Sequence, residues 1–289
     1  MDLQLLGQLL IEPLRYPIFV RALIAAALVG TVCAVVGTYV VLKGLAFIGD
    51  AVSHAAFPGV VAAYMLQGSF YIGAGIAAVG TALAIGFVSR RTRIRMDTAV
   101  GVLFAGTFAL GIFMYSTIQG YVADLFGFLF GDVLSISTAD LVGLVLLGGL
   151  VLAIVALLWK ELLYATFDPL GAGASGLPVG PLEYLFLALV ALTIVVSLQS
   201  VGIILVVAML VTPAATAQLL VVRFVTMMRV AIMVGIGAAV IGLYVSFWAD
   251  AASGATIVLV ETAAFVVAAV LGPNSSIRRR VRGTARAAA

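Results

Sequence analysis

The sequence predicts an all-α, polytopic transmembrane helical bundle, and three observations lead to that fold class. Of the 289 residues, 64% are hydrophobic and only 9% are charged, whereas soluble domains carry about 25% charged residues. The apolar residues form unbroken runs of about 20, the length at which a helix crosses a bilayer. These runs lack the alternating pattern of a membrane β-barrel, and helices satisfy their own backbone polar groups within lipid.

The apolar runs divide the chain into a series of membrane segments. Nine stretches can be assigned, at residues 20–42, 45–66, 70–88, 98–116, 138–158, 181–198, 201–221, 227–248 and 254–272. Only Gln199 and Ser200 separate the sixth stretch from the seventh, so these two form either a tight helical hairpin or one broken helix. We therefore expect eight to nine membrane segments.

The positively charged residues set the expected orientation of these segments. The sequence SRRTRIR, residues 89–95, places four arginines between the third and fourth stretches. Cytoplasmic loops are enriched in Lys and Arg, so this loop should be cytoplasmic. Nine alternating segments then place 13 of the 15 Lys and Arg residues on that side. The N-terminus is therefore expected outside the cell and the C-terminus inside.

Three regions follow from this map. Residues 1–18 lack the basic start of a signal peptide and are expected to form an amphipathic helix at the membrane surface. Residues 19–273 form the transmembrane domain, and residues 274–289 form a basic cytoplasmic tail.

Two connecting stretches are too unusual to be simple loops. Tyr121–Ser137 is apolar and interrupted by glycine, which indicates a short external helix or a half-helix that dips into the membrane. Residues 160–181 are long, mixed in polarity and rich in Gly and Pro. Long connections tend to be functional, so this second stretch is a candidate docking element for a soluble partner.

The second apolar stretch carries an unusual pair of polar residues in GDAVSHAAFPG. Asp50 and His54, the only histidine in the chain, are four residues apart and can share one helix face. His54 lies ~14 Å along a helix that begins near Leu45. That depth is near the middle of a hydrocarbon core of about 30 Å. An ionisable residue at this depth indicates a functional site.

Three interpretations of this pair are open. The two side chains could hydrogen-bond each other and stabilise the helix, relay protons, or bind a metal ion. A carboxylate and a neutral imidazole suit divalent first-row ions. One chain supplies only two such ligands, whereas a two-fold symmetric dimer would supply four. An intramembrane metalloenzyme would need a third ligand within one chain, and a chain with one histidine and one cysteine is poorly equipped to supply it.

Other intramembrane residues have expected structural or secondary roles. Glu261, in the last stretch, could hydrogen-bond a Ser or Thr of a neighbouring helix, or could act as a secondary relay or gate. Proline kinks a helix, and small residues let helices approach closely. The residues expected to serve in helix packing and gating are Gly49, Ser53, Pro58, Gly59, Gly202 and Pro213.

Several motifs together resemble a known family. GDAVSHAAFPG (49–59), SVGIILVVAMLVTPAATAQLL (200–220) and FDPLGAGASGLP (167–178) are similar to the membrane-spanning permease subunits of ATP-binding-cassette importers for manganese, zinc and iron. The resemblance implies a homodimer in a prokaryotic plasma membrane, two copies of a soluble ATPase, and an extracytoplasmic metal-binding protein. It also implies that Asp50 and His54 are the pore ligands. The residues expected to couple to the ATPase are Phe167, Asp168, Pro169, Leu170, Leu177 and Pro178.

The resemblance also defines the expected function. The chain contains no GxxxxGK[ST] phosphate-binding loop, so ATP hydrolysis is expected in a partner and this chain is not expected to be an enzyme. We expect import of Mn(II), with zinc or iron(II) as alternatives and a proton-coupled secondary transporter as a further one. The metal is cargo, no permanently bound cofactor is expected, and the partners include membrane lipid but no nucleic acid.

Overall fold

A computed structural model of the chain describes residues 11–92, 94–118, 134 and 136–273, and this part contains helices but no β-strand. A single 3-10 turn, Pro13–Arg15, precedes the first long helix. The helices are, in chain order, α1 (Pro17–Leu42), α2 (Ile48–Ala55), α3 (Phe57–Met65), α4 (Phe70–Thr92), α5 (Met96–Ser116), α6 (Thr138–Leu157), α7 (Trp159–Phe167), α8 (Pro169–Ala174), α9 (Val179–Leu220), α10 (Phe224–Ala249) and α11 (Ser253–Leu271).

The described residues contain eight helical segments long and apolar enough to cross a membrane, which confirms the predicted multi-span bundle. They are α1, α4, α5, α6, the two halves of α9 (Val179–Leu198 and Val201–Leu220), α10 and α11. The number is eight because the stretch 45–66 does not form one long helix.

That second stretch is instead divided into two short helices, α2 and α3. At 1.5 Å per residue, their 8 and 9 residues give about 12–14 Å each, too little to cross the core singly. The break falls at Ala56, two residues before Pro58. Proline has no backbone N–H to donate to the carbonyl of His54, so the regular hydrogen-bond pattern ends here.

One end of the bundle is marked by an ion pair between α4 and α9; we call it the arginine end. Arg90 Nη1 lies 2.8 Å from Glu183 Oε2. Lys43, just after α1, places its Nζ 5.5 Å from the centre of the Phe186 ring. Burial lowers the pKa of Lys43, and the nearby carboxylate of Glu183 acts in the opposite direction. The ends of α1 and α4 and the start of α9 therefore meet at the arginine end.

The two halves of α9 run in opposite directions. The second half also returns to the arginine end, because Ala217 packs in a cluster with Leu42, the last residue of α1. Gly202, at the start of the second half, has φ 78° and ψ 169°, a conformation that glycine adopts readily and other residues do not. Of the two alternatives for this region, the chain adopts the hairpin.

α1 lies at the centre of the bundle, packed against α9 and α10. Two of its glycines allow close approach of neighbouring backbones: Gly30 faces Gly235 of α10, and Gly37 faces the carbonyl of Leu210 in α9. Small residues at such crossings let helices pack at short distance within lipid. These contacts fix α9 and α10 beside α1.

Three predicted regions fall wholly or largely outside the described residues. They are the start of the segment 1–18, most of Tyr121–Ser137, and the tail 274–289. Within the described part of the first segment, α1 already begins at Pro17, after the 3-10 turn.

Candidate metal-ion site

The short helix α2 presents Asp50 and His54 on one face. Asp50 Oδ1 lies 3.5 Å from His54 Nε2, and the side chains are 50% and 31% exposed, respectively. Ser53, between them in sequence, is buried and donates its hydroxyl to the carbonyl of Gly49 at 2.7 Å. The two ionisable groups are therefore adjacent and partly open, while the rest of the helix is packed.

Aromatic residues of α5 hold the imidazole in place. The His54 ring lies 5.6 Å from the ring of Phe104 and 5.2 Å from that of Phe108, measured between centroids. These phenylalanines lie 8 and 12 residues after Met96, or ~12–18 Å along a helix of about 31 Å. His54 is therefore near the midpoint of α5. Neither phenylalanine was predicted from the sequence, although their spacing of four residues places both on one helix face.

Close backbone packing surrounds the pair. Gly49, next to Asp50, faces a methyl group of Leu210. Pro58 packs against Gly111 of α5, and Gly59 packs directly against the backbone of Gly73 in α4. The two short helices are thus held between α4, α5 and α9. Of the other predicted packing residues, Gly202 forms the α9 hairpin and Pro213 lies inside its second half.

An apolar cavity of about 680 Å³ begins one helical turn beyond His54, at Pro58. It lies between α3, α4 and α5, and its polar lining consists of the hydroxyls of Ser69, Thr81 and Thr107. The described lining contains no Asp, Glu, His or Cys. The described lining of this cavity therefore offers no side chain of the kinds that usually bind a divalent metal ion.

The described part of the chain does not supply a complete coordination sphere. No three His, Cys, Asp or Glu side chains come together within it. A metal ion held by Asp50 and His54 would need further ligands from water or from another chain. The exposed half of the Asp50 side chain leaves room for such a partner.

Glu261 does not form the expected hydrogen bond to a described Ser or Thr of a neighbouring helix. It lies in α11 and is fully buried, with 0% exposure. Neither carboxyl oxygen has a hydrogen-bond partner among the described residues. The relay or gate role expected as the alternative stays a hypothesis.

We expect Glu261→Gln to leave the free energy of unfolding unchanged or to raise it. Glutamine has the same shape, and an unpaired carboxylate in a dry interior costs several kcal/mol when ionised. Thermal unfolding of the purified protein in detergent measures this effect. The matched control is Glu183→Gln, which breaks a half-exposed ion pair and should cost about 0–1 kcal/mol. A larger loss for Glu261→Gln than for Glu183→Gln would contradict the expectation.

The predicted coupling region, residues 160–181, forms a separate feature of the structure. It folds as α7 and α8, and the Asp168 carboxylate caps α8 by accepting the N–H of Gly171 at 2.8 Å. Pro169 occupies the first turn of α8, where its missing N–H is not needed. Phe167 and Leu170 are 62% and 86% exposed. Leu177 and Pro178 lead directly into α9.

A bundle with eight apolar helical segments of membrane-spanning length among its described residues defines an integral membrane protein. The chain belongs to the ABC 3 transport family, whose model matches residues 15–272. This match confirms the resemblance that the motifs indicated. The chain is therefore an ABC-type permease, a multi-pass protein of a bacterial plasma membrane.

Sequence similarity to known proteins extends over almost the whole chain. The manganese transport system membrane protein MntC of Halalkalibacterium halodurans is 47% identical over 267 residues, 92% of this chain and 91% of that protein. The chelated iron transport system membrane protein YfeD of Yersinia pestis is 40% identical over 278 residues, 96% and 93% of the two chains. The structure of PsaBC from Streptococcus pneumoniae in complex with Fab matches with a TM-score of 0.81 at 34% identity, covering 93% of this chain and 97% of that one.

Proposed function

We propose that this protein is the permease subunit of an ATP-driven importer of divalent transition-metal ions, with Mn(II) as its cargo. The observation that supports this function is the Asp50–His54 pair, partly open and near the midpoint of the helix that packs on it. A partly exposed ionisable pair with oxygen and nitrogen donors, set among apolar helices, suits a divalent metal ion.

The incomplete ligand set supports a pore between two copies of the chain. Two-fold symmetry would bring two aspartates and two histidines around one ion. Coordination by these groups must be brief, because a pore that binds its ion too tightly does not conduct. Both side chains retain exposed surface, as a transient site between subunits requires.

The donor set alone does not select manganese. Sites built from nitrogen and oxygen generally bind zinc more tightly than manganese. Manganese is supported by the names of similar proteins, whereas another relative is named for chelated iron. In this proposal, an extracytoplasmic metal-binding protein selects the ion and delivers it at the end of the bundle opposite the arginine end.

The arginine end is the proposed cytoplasmic side, where an ATPase dimer docks. The exposed side chains of Phe167 and Leu170 on α7 and α8 form the contact surface. Capping by Asp168 and the fixed φ of Pro169 give this surface a defined shape. ATP binding in the partner would then move α7 and α8 relative to the rest of the bundle.

Uptake into proteoliposomes tests the proposed function. The chain is reconstituted with its ATPase and binding protein, and manganese uptake is measured with and without ATP. We expect ATP-dependent uptake that a protonophore does not abolish, with zinc and iron(II) competing less well. Uptake driven by a proton gradient without ATP would instead establish a secondary transporter. Preference for zinc or iron(II) would correct the cargo and retain the mechanism.

A further inference from the structure

We propose that Leu210 is a positioning residue, which holds the turn of α2 that carries Asp50 and links it to the coupling helices. This inference rests on the proposed function. It concerns how movement at the docking surface reaches the metal pair.

Leu210 contacts two helices at once from the second half of α9. It is fully buried, and its Cδ2 lies 3.0 Å from the position that a Cβ at Gly49 would occupy. Its backbone carbonyl faces Gly37 of α1 so closely that a Cβ there would overlap it. Since Gly49 has no side chain, the Leu210 side chain packs against the backbone next to Asp50.

Pro213 interrupts the backbone hydrogen bonding of α9 three residues after Leu210. It lies inside the second half of α9 and has no N–H to donate to the carbonyl of Met209. The missing hydrogen bond allows the helix to bend at this turn. Leu210 lies within this turn, between Met209 and Pro213, so bending there moves its side chain relative to Gly49.

The far end of α9 leads to the coupling helices. α9 ends at Leu220 and α10 begins at Phe224, so only three residues lie between the two helices. The Phe224 ring lies 5.2 Å from Trp159 and 6.2 Å from Phe167, the first and last residues of α7. Its third aromatic neighbour is Tyr39 of α1, at 5.0 Å.

These contacts form one continuous series from the docking surface to the metal pair. Movement of α7 displaces Phe224 and the end of α9, and Leu210 transfers that displacement to Gly49. The neighbouring Asp50 then moves relative to His54, which stays packed against α5. Asp50 and His54 are 3.5 Å apart in this structure, and a change in that distance would change their affinity for the metal ion.

A double-mutant cycle between Leu210 and Gly49 tests the proposal in the full complex with its ATPase. Leu210→Ala removes the contact and is expected to lower manganese transported per ATP hydrolysed by about fivefold. Mn(II) affinity, measured by electron paramagnetic resonance, should fall as well. Adding Gly49→Ala places a methyl group in the vacated space and should restore at least half of the ratio.

The matched control is Leu205→Ala. Leu205 is 1% exposed in the same half of α9 and lies near Gly254 at the other end of the bundle. We expect similar thermal stability for the two leucine variants and an unchanged transport ratio for Leu205→Ala. Equal losses in both variants, or no recovery in the double variant, would show that Leu210 serves packing alone.

Two further measurements keep the outcomes distinct. If Leu210→Ala does not fold, Gly49→Ala alone is measured instead. Its methyl group would displace the Leu210 side chain and should lower the manganese transported per ATP hydrolysed. An unchanged value would overturn the proposal. Asp50→Ala, run in parallel, reports on the proposed function itself. Loss of uptake in Asp50→Ala with a normal ratio in Leu210→Ala would remove only the role of Leu210.

Discussion

Asp50→Ala and His54→Ala are each expected to reduce ATP-dependent manganese uptake at least about 100-fold. Loss of a group that merely orients a ligand already costs about 10–100-fold in metal affinity, and these variants remove a ligand itself. In a symmetric dimer each substitution removes two ligands. Uptake into proteoliposomes and Mn(II) binding to the purified complex measure the two consequences separately.

The control for these variants is Asp97→Ala. Asp97 is a carboxylate on α5 with a 55% exposed side chain, 3.9 Å from Arg95, and it lies at the arginine end away from the pair. It should retain most of its uptake. Since Asp50 and His54 are partly exposed, all three variants should unfold near the wild-type temperature. Full uptake by Asp50→Ala would end the assignment of the site.

Gly37→Ala is expected to disrupt the bundle by more than about 3 kcal/mol, the upper part of the range for overpacking. A Cβ at this position would overlap the carbonyl oxygen of Leu210. Backbone cannot rotate away as a side chain can, so α1 and α9 must separate. We expect a strongly lowered unfolding temperature in detergent and loss of the monodisperse species in size-exclusion chromatography.

Gly149→Ala in α6 is the corresponding control. A Cβ there meets no atom of this chain within 4 Å, and alanine favours helix over glycine by about 1 kcal/mol. Its unfolding temperature should be unchanged or higher. If Gly37→Ala behaved in the same way, the close approach of α1 and α9 would be wrong.

The candidate site was predictable from the sequence because its two ionisable residues lie within a long apolar stretch. Asp50 and His54 are conspicuous among apolar residues, and the four-residue spacing places them on one face in any helix. Their aromatic neighbours Phe104 and Phe108 were not predictable. Those contacts join helices about 50 residues apart in the chain, and one sequence carries no record of which apolar faces meet.

The division of two apolar stretches also depended on tertiary structure. Residues 45–66 have enough hydrophobic length for one span, yet Pro58 and the packing of α2 and α3 against α4, α5 and α9 divide them. Residues 181–221 allowed a hairpin or a broken helix. Leu42, at the end of α1, packs against the cluster that contains Ala217, and this places the second half of α9 in a hairpin.

The sequence by itself determined that this protein is a helical membrane bundle, because an apolar run of about 20 residues has the length and composition of a helix that crosses the hydrocarbon core. It also determined the family and the identity of the polar pair. Only the tertiary structure decided that Leu210 lies between Gly37 and Gly49, and that no described residue hydrogen-bonds Glu261. Within lipid, nearly every helix face is apolar, so the choice of packing partner depends on shape, and shape arises only when distant segments meet.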